Sequence, residues 1–385
     1  MNPSYKSERS LRIETRAVHS GPGMDPVSGD VAPAIHPSTT FGRTRDSALI
    51  DPDNFYTRQS NPNQRQLETA VANLEGGAAA RVYASGMAAG TALLQSLGTG
   101  DHVLMASDCY FGMRNAAGDF ASKWGVEVDL VAMSDLDAVR DKLRPATRLV
   151  FAETPSNPMM RITDIAALAE VVHQTPAQLV VDNTFATPIL QRPIQCGADV
   201  VLHSATKYFG GHSDVLGGCL VFREQGPLLA GAEHALYVLG AALAPFNSWL
   251  ILRGLKTLAC RVGVQTANAG TIATMLSAHP NVTEVLYPGL ESHPGHEIAA
   301  SQMSGFGAVV SFRVRGGKQA ALDVVGRAEV FTRATSLGGV ESLIEHRATS
   351  EAPHATTPDD LIRLSVGIEQ VDDLVEDLER ALCPV

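Results

Sequence analysis

One lysine, placed between a buried strand and a run of glycines, constrains the fold of this chain more than any other feature. The largely apolar residues 198–202 are typical of a buried strand, and the run 204–218 that follows is rich in glycine and small hydroxyl residues. Lys207 lies near the start of that run, at the carboxyl end of the strand. Ligands of open α/β sheets bind at that end. The sequence therefore predicts an α/β protein with a ligand beside Lys207.

A second apolar segment, residues 178–182, ends on the carboxylate of Asp182. If the two strands are neighbours, the amine of Lys207 and this carboxylate meet in one crevice. The pair suits pyridoxal phosphate (PLP), because Lys207 would hold the aldehyde as a Schiff base and Asp182 would keep the ring nitrogen protonated. Taken singly, Lys207 is better interpreted as a surface lysine and Asp182 as a helix N-cap.

A third segment indicates a phosphate site. Residues 81–84 are typical of a short strand, 85–90 of a tight turn, and 92–94 of the start of a helix. The free N–H groups of a helix N-terminus bind phosphate well. Such a turn is weak evidence alone. Together with Lys207 and Asp182, it fits a cofactor that carries a phosphate at one end and an aldehyde at the other.

Composition narrows the class of partner. The 385 residues carry a net charge of −11, which argues against nucleic acid and anionic membranes and favours small-molecule ligands. The N-terminus is charged, and no apolar run reaches the roughly 18 residues of a membrane helix, so we expect a cytoplasmic protein. The five cysteines are scattered, which indicates neither a disulfide framework nor a metal site.

The pattern along the chain divides it into three parts. Residues 1–60 are rich in Pro, Gly, Ser and Thr, which indicates an extended arm that lies against a second subunit. Residues 61–246 alternate helical and strand-like segments, which predicts a mostly parallel, doubly wound sheet that holds the ligand. Residues 247–385 begin with a long, mostly helical segment. They continue as a smaller α+β domain with strands at 282–287, 308–314 and 361–366 and a closing helix at 371–382.

Six ordered motifs resemble the transsulfuration family of PLP enzymes, which act in cysteine and methionine metabolism. The family includes cystathionine γ-synthases, cystathionine γ- and β-lyases, O-acyl-homoserine sulfhydrylases and methionine γ-lyases. The resemblance implies PLP as cofactor, fold type I (aspartate aminotransferase-like) and a homotetramer of two catalytic dimers. The motifs are Y-T-R-x-x-N-P from Tyr56, A-S-G-M-A-A from Ala84, E-T-P-S-N-P from Glu153, V-V-D-N-T-F-A-T-P from Val180, S-A-T-K-Y-x-G-G-H from Ser204 and S-L-G-G-V-E-S-L from Ser336.

The resemblance also assigns roles to individual residues. Lys207, Asp182 and Tyr110 match the catalytic set, in which the tyrosine stacks on the cofactor ring. Further matches to cofactor ligands are Gly86, Met87, Ser204 and Thr206 at the phosphate, Asn157 at the ring hydroxyl, and Tyr56 and Arg58 at the phosphate of the neighbouring subunit. The matches to substrate-binding residues are Arg363 at the α-carboxylate with Ser336 beside it, together with Asn157, Tyr110 and Glu341.

Two features of the sequence bear on the substrate. Glu341 resembles the γ-acting members, and we expect it to face the substrate's distal end. The segment 345–354 is unusually charged, which fits either a solvated loop or a substrate with a polar γ-group. The chain is therefore interpreted as an enzyme of γ-elimination or γ-replacement on cystathionine, an O-acyl-homoserine or another polar substrate such as canavanine. A β-lyase and a non-catalytic PLP-fold binding protein are the alternatives.

Overall fold

A computed structural model describes residues 11–25, 27–351 and 357–383. The first ten residues of the predicted arm and residues 352–354 of the charged segment lie outside this range. None of the described helices is both long and apolar enough to cross a membrane.

The larger of two sheets has seven strands in the order β1-β7-β6-β5-β4-β2-β3. Pairing is parallel from β3 to β6, whereas β7 runs antiparallel to both of its neighbours, β6 and β1. The predicted mostly parallel sheet is thus confirmed, with an antiparallel strand that the sequence pattern did not reveal. The strands are β1 (Ala79–Tyr83), β2 (His102–Ala106), β3 (Glu127–Val131), β4 (Thr147–Glu153), β5 (Gln178–Asp182), β6 (Val200–His203) and β7 (Gly218–Phe222).

Helices cover this sheet, and their ends follow from local chemistry. Pro62 opens α2 behind the cap Asn61, and Gly76 ends it in the left-handed conformation. The turn predicted at 85–90 is instead the first part of α3, because the Ser85 hydroxyl accepts the N–H of Ala88 and caps a helix that begins at Gly86. The helices are α1 (Ile13–Val18), α2 (Pro62–Glu75), α3 (Gly86–Leu94), α4 (Phe111–Trp124), α5 (Leu136–Lys142), α6 (Ile165–Val172), α7 (Thr187–Leu190) and α8 (Pro227–Leu239).

The second sheet has five strands in the order β10-β11-β12-β9-β8. The three strands, the closing helix and the long, mostly helical segment predicted here are confirmed, and that segment consists of two helices. The boundaries proposed between domains stay predictions. The strands are β8 (Val282–Leu286), β9 (Val309–Val314), β10 (Thr332–Arg333), β11 (Leu343–His346) and β12 (Leu361–Ser365). The helices are α9 (Pro245–Leu255), α10 (Leu258–Ala278), α11 (His296–Gln302), α12 (Gly317–Arg327), α13 (Arg347–Glu351) and α14 (Val371–Leu382).

The described part of the N-terminal arm contains one short helix, α1, and otherwise consists of turns and irregular segments that are mostly exposed. It contacts its own chain at a few points. The Trp249 indole donates to the carbonyl of Pro33, and the Asn63 amide bonds the backbone of Ala34 and His36. Large apolar side chains of the arm, Val27 and Val31 among them, are left exposed to solvent.

Candidate active site

A cavity of about 350 Å³ lies between the carboxyl ends of β4, β5 and β6 and the loops that flank β11 and β12. The order of the large sheet places these three strand ends side by side. The cavity therefore forms where residues from both sheets meet. Of the predicted site residues, its wall includes Gly86, Met87, Tyr110, Asn157, Asp182, Ser204, Thr206, Lys207, Ser336 and Arg363.

Lys207 reaches across this cavity from the loop after β6. Its Nζ donates to the hydroxyl of Ser336, 2.7 Å away. Burial lowers the pKa of Lys207 to about 8, and the positive charge of Arg363 acts in the same direction. The amine can therefore take up and release a proton close to neutral pH.

Two carboxyl groups face the cavity from neighbouring strands. Asp182 ends β5, pairs in register with Glu153 at the end of β4, and accepts hydrogen bonds from the N–H and hydroxyl of Thr184 at 3.0 and 2.5 Å. Burial raises the pKa of Asp182. Burial, followed by the nearby Asp182 charge, raises the pKa of Glu153 well above its usual range.

Glu153 is a cavity residue that the sequence reasoning did not assign. Its carboxylate accepts the backbone N–H of Tyr110 at 2.7 Å and so holds the start of α4 at the cavity wall. The signal was present, because Glu153 ends its strand on a carboxylate just as Asp182 does.

Another part of the cavity wall is rich in hydrogen-bond donors. It is formed by the first turn of α3 and by the loop that follows β6. A Cβ at Gly86 would lie 2.9 Å from the Cβ of Ser204, and one at Gly218 only 2.2 Å from the carbonyl oxygen of Ser85. Glycine at both positions therefore permits the close approach that brings the free N–H groups of α3 beside the hydroxyls of Ser204 and Thr206.

These residues fit PLP. The donor-rich part at α3 and Ser204 suits a phosphate, the buried carboxyl of Asp182 suits a ring nitrogen, and the amine of Lys207 lies in the same cavity. The two strands that were expected to be neighbours are neighbours, since β5 and β6 pair directly. The structure therefore brings Asp182 and Lys207 into one cavity, as the prediction of a PLP site requires.

Arg363 lies on β12 and is fully enclosed. Its Nη1 donates to the Asn157 side chain at 2.8 Å, and its Nη2 donates to the carbonyl of Ser336 at 2.9 Å. The same guanidinium pairs with Glu345 on the adjacent strand β11. Burial lowers the pKa of Arg363 to about 10, so it stays charged at neutral pH. A buried cation at the cavity wall is suited to a carboxylate.

The charged segment is not a solvated loop over its described part. Glu345, His346, Arg347 and Glu351 are all buried. The Arg347 Nε donates to Glu351 Oε1 at 2.9 Å, and its Nη1 lies 3.3 Å from Glu345 Oε1. Because each charge has a partner, the segment is buried as a set of ion pairs, and Arg347 becomes part of the cavity wall.

Tyr110 lies at the cavity mouth as the N-cap of α4, with 37% of its surface exposed. Three other predicted residues do not line the cavity. The carboxylate of Glu341 accepts a hydrogen bond from Ser213 instead of facing the cavity. Arg58 stacks on the rings of Tyr56 and Tyr237, at the rim of a separate, open pocket.

Comparisons with known proteins show the family to which the chain belongs. The family model "Cys/Met metabolism PLP-dependent enzyme" matches residues 14–383. Cystathionine gamma-synthase from Mycobacterium tuberculosis is 48% identical over 378 residues, which cover 96% of each chain. Cystathionine beta-lyase from Lactococcus lactis is 42% identical, over 96% of this chain and 98% of the relative.

Among solved structures, metB from Corynebacterium glutamicum superimposes with a TM-score of 0.94 at 42% identity, over 97% of this chain and 98% of the other. Its likeness extends to both sheets, and the family model spans nearly all of the described residues. The chain therefore belongs to the PLP-dependent enzymes of cysteine and methionine metabolism, and pyridoxal 5'-phosphate is its cofactor.

Proposed function

We propose that this enzyme catalyses γ-elimination or γ-replacement on an amino acid that carries a leaving group at Cγ. The observation that carries the proposal is the convergence of Lys207, Asp182 and Arg363 on one cavity. The relatives named for chemistry at Cγ support it, including the cystathionine gamma-synthase of Mycobacterium tuberculosis.

Residues of the cavity wall bind the substrate and transfer its protons. Arg363 and Asn157 bind the α-carboxylate and fix the orientation of the amino acid. PLP, when bound, supplies an electron sink for negative charge that develops at Cα. Lys207 moves protons at Cα and at Cβ, for which a pKa near 8 is well suited. Its hydrogen bond to the Ser336 hydroxyl holds the amine beside the residue whose carbonyl contacts Arg363.

The cofactor contacts are assigned to two ends of the cavity. Asp182 would pair with the ring nitrogen, with Thr184 holding its carboxylate in place. Asn157 would contact the ring hydroxyl, and Tyr110 would stack on the ring. The phosphate would lie among Gly86, Met87, Ser204 and Thr206.

A panel assay tests the reaction. Cystathionine, O-acetyl- and O-succinyl-L-homoserine, methionine and canavanine are each supplied to the PLP-loaded enzyme, and 2-oxo acid, homoserine and thiol products are measured. Cystathionine cleaved at Cγ gives 2-oxobutanoate and cysteine, whereas cleavage at Cβ gives pyruvate and homocysteine. Pyruvate as the main product would favour the β-lyase alternative, which has its own support in the relatives named cystathionine beta-lyase.

We also propose a cytoplasmic homotetramer of two catalytic dimers. Arg58 and Tyr56 do not line their own chain's cavity, which fits a role at the phosphate of a neighbouring subunit. The arm, taken as residues 1–60, would extend toward that subunit, with 61–246 binding PLP and 247–385 completing the site. Mixing inactive Arg58→Ala with inactive Lys207→Ala subunits should restore part of the activity, because a hybrid dimer keeps one intact site. No recovery in verified hybrids refutes the shared site.

A further inference from the structure

Arg347 presents a buried hydrogen-bond donor that nothing in the described part of the chain satisfies. The residue follows β11 directly, and its side chain is 5% exposed. Two of its three nitrogens contact Glu351 and Glu345. The third, Nη2, is buried and has no hydrogen-bond partner among the described residues.

The unsatisfied nitrogen belongs to a residue of the cavity wall. Arg347 lines the same cavity as Lys207 and lies over the ring of Phe111, with 5.8 Å between the guanidinium carbon and the ring centroid. A buried donor without a partner destabilises the protein, and an acceptor that enters the cavity removes that unfavourable free energy.

The charges around Arg347 decide which kind of acceptor fits. Glu345 and Glu351 balance the two guanidinium groups of Arg347 and Arg363. Once Arg363 has also bound the substrate's α-carboxylate, the cluster carries a net negative charge. A second substrate anion would therefore be repelled, whereas a neutral oxygen needs only the hydrogen bond. A thioether sulfur is a weak acceptor and satisfies Nη2 poorly.

We propose that Arg347 determines specificity by donating from Nη2 to an uncharged oxygen acceptor in the substrate's γ-substituent. This inference rests on the proposed reaction at Cγ and narrows its substrates to γ-substituents that carry such an oxygen, esters of homoserine being the simplest. Thioethers of the same length are disfavoured, because a site built around a hydrogen bond rejects analogues that lack the acceptor.

The test uses two ligands that differ at the acceptor. O-acetyl-L-homoserine and S-ethyl-L-homocysteine have side chains of equal length, and only the first has a carbonyl oxygen. We measure kcat/KM for the ester and the inhibition constant of the thioether against ester turnover, in PLP-loaded wild type, Arg347→Lys and Arg347→Gln. Arg315→Lys serves as the control, because Arg315 is exposed and lies outside the cavity.

In both Arg347 variants we expect kcat/KM for the ester to fall about 10- to 100-fold, the range for a hydrogen bond from a charged group. The inhibition constant of the thioether should change less than about threefold on the same argument, and the control should match wild type. If kcat/KM for the ester and the affinity for the thioether fall by equal factors, Arg347 only supports the structure. If neither changes, Arg347 is not part of the substrate site.

Wild type alone gives a second readout. A thioether that binds as tightly as O-acetyl-L-homoserine, or a preference for O-succinyl- over O-acetyl-L-homoserine of about tenfold or more, refutes the uncharged-oxygen assignment. If the enzyme cleaves cystathionine at Cγ but turns over no ester, the uncharged-oxygen assignment is also refuted, whereas the proposed reaction still holds. An enzyme that cleaves neither these substrates nor methionine or canavanine at Cγ refutes the proposed reaction itself.

Discussion

Replacing Lys207 with methionine should stabilise the cofactor-free protein at neutral pH and lose most of that advantage in alkali. The folded-state pKa of Lys207 is about 8, against a usual 10.5. Between these two values the unfolded chain binds a proton that the folded chain does not, so wild-type stability rises with pH across that window. Below pH 8 the folded protein holds a buried charge that costs about 3 kcal/mol, at about 1.4 kcal/mol per pKa unit.

Lys207→Met removes this cost, and the thioether side chain suits the same partly buried space. The measured quantity is the free energy of unfolding of Lys207→Met minus that of wild type. We expect this difference to be about 2 kcal/mol larger at about pH 7 than at about pH 10. Urea denaturation followed by circular dichroism, with PLP removed from both proteins, measures the difference at each pH. Lys318→Met is the control, since Lys318 is exposed. A difference that stays constant with pH would show that Lys207 is not desolvated in the cofactor-free protein.

Three further predictions concern the residues predicted for the site. Asp182→Asn keeps the shape but removes the charge opposite the ring nitrogen, so kcat should fall at least about tenfold while PLP stays bound. Gly86→Ala introduces a Cβ 2.9 Å from Ser204, which should weaken PLP binding in a titration and cost about 1–3 kcal/mol of stability; Gly118→Ala, with open space around it, should do neither. Glu341 lies outside the cavity wall, where Ser213 donates to its carboxylate, so Glu341→Ala should lower the melting temperature and leave the ratio of γ to β products unchanged. A loss of Cγ cleavage of about tenfold or more would instead place this carboxylate at the substrate's distal end.

The cavity could be predicted well from the sequence because its main parts are local. Lys207 and Asp182 each follow an apolar strand, and α3 begins with a cap and a glycine within one short segment. Parallel strands bring their carboxyl ends to one edge of the sheet, so the order of motifs along the chain was enough to bring them together.

The charged segment and β7 could not be interpreted in the same way. Glu345, Arg347 and Glu351 have the composition of a solvated loop, because charged residues are almost never buried unless they are paired. Their burial depends on Arg363, which belongs to another strand and compensates Glu345. The antiparallel direction of β7 is likewise invisible locally, since a buried apolar strand has the same pattern in either direction.

The position of β1 in the large sheet has a consequence for synthesis and folding. This strand lies at the sheet edge beside β7, which follows it much later in the chain, and its last residue, Tyr83, pairs with Gly218. The α3 end of the cavity therefore cannot meet the loop after β6 until β7 has been made and has joined the sheet. Contacts so distant in sequence form slowly, because a long loop must close first. On the ribosome, PLP would thus bind only to chains extended beyond Phe222. Its binding would stabilise chains whose large sheet is complete relative to partly folded chains.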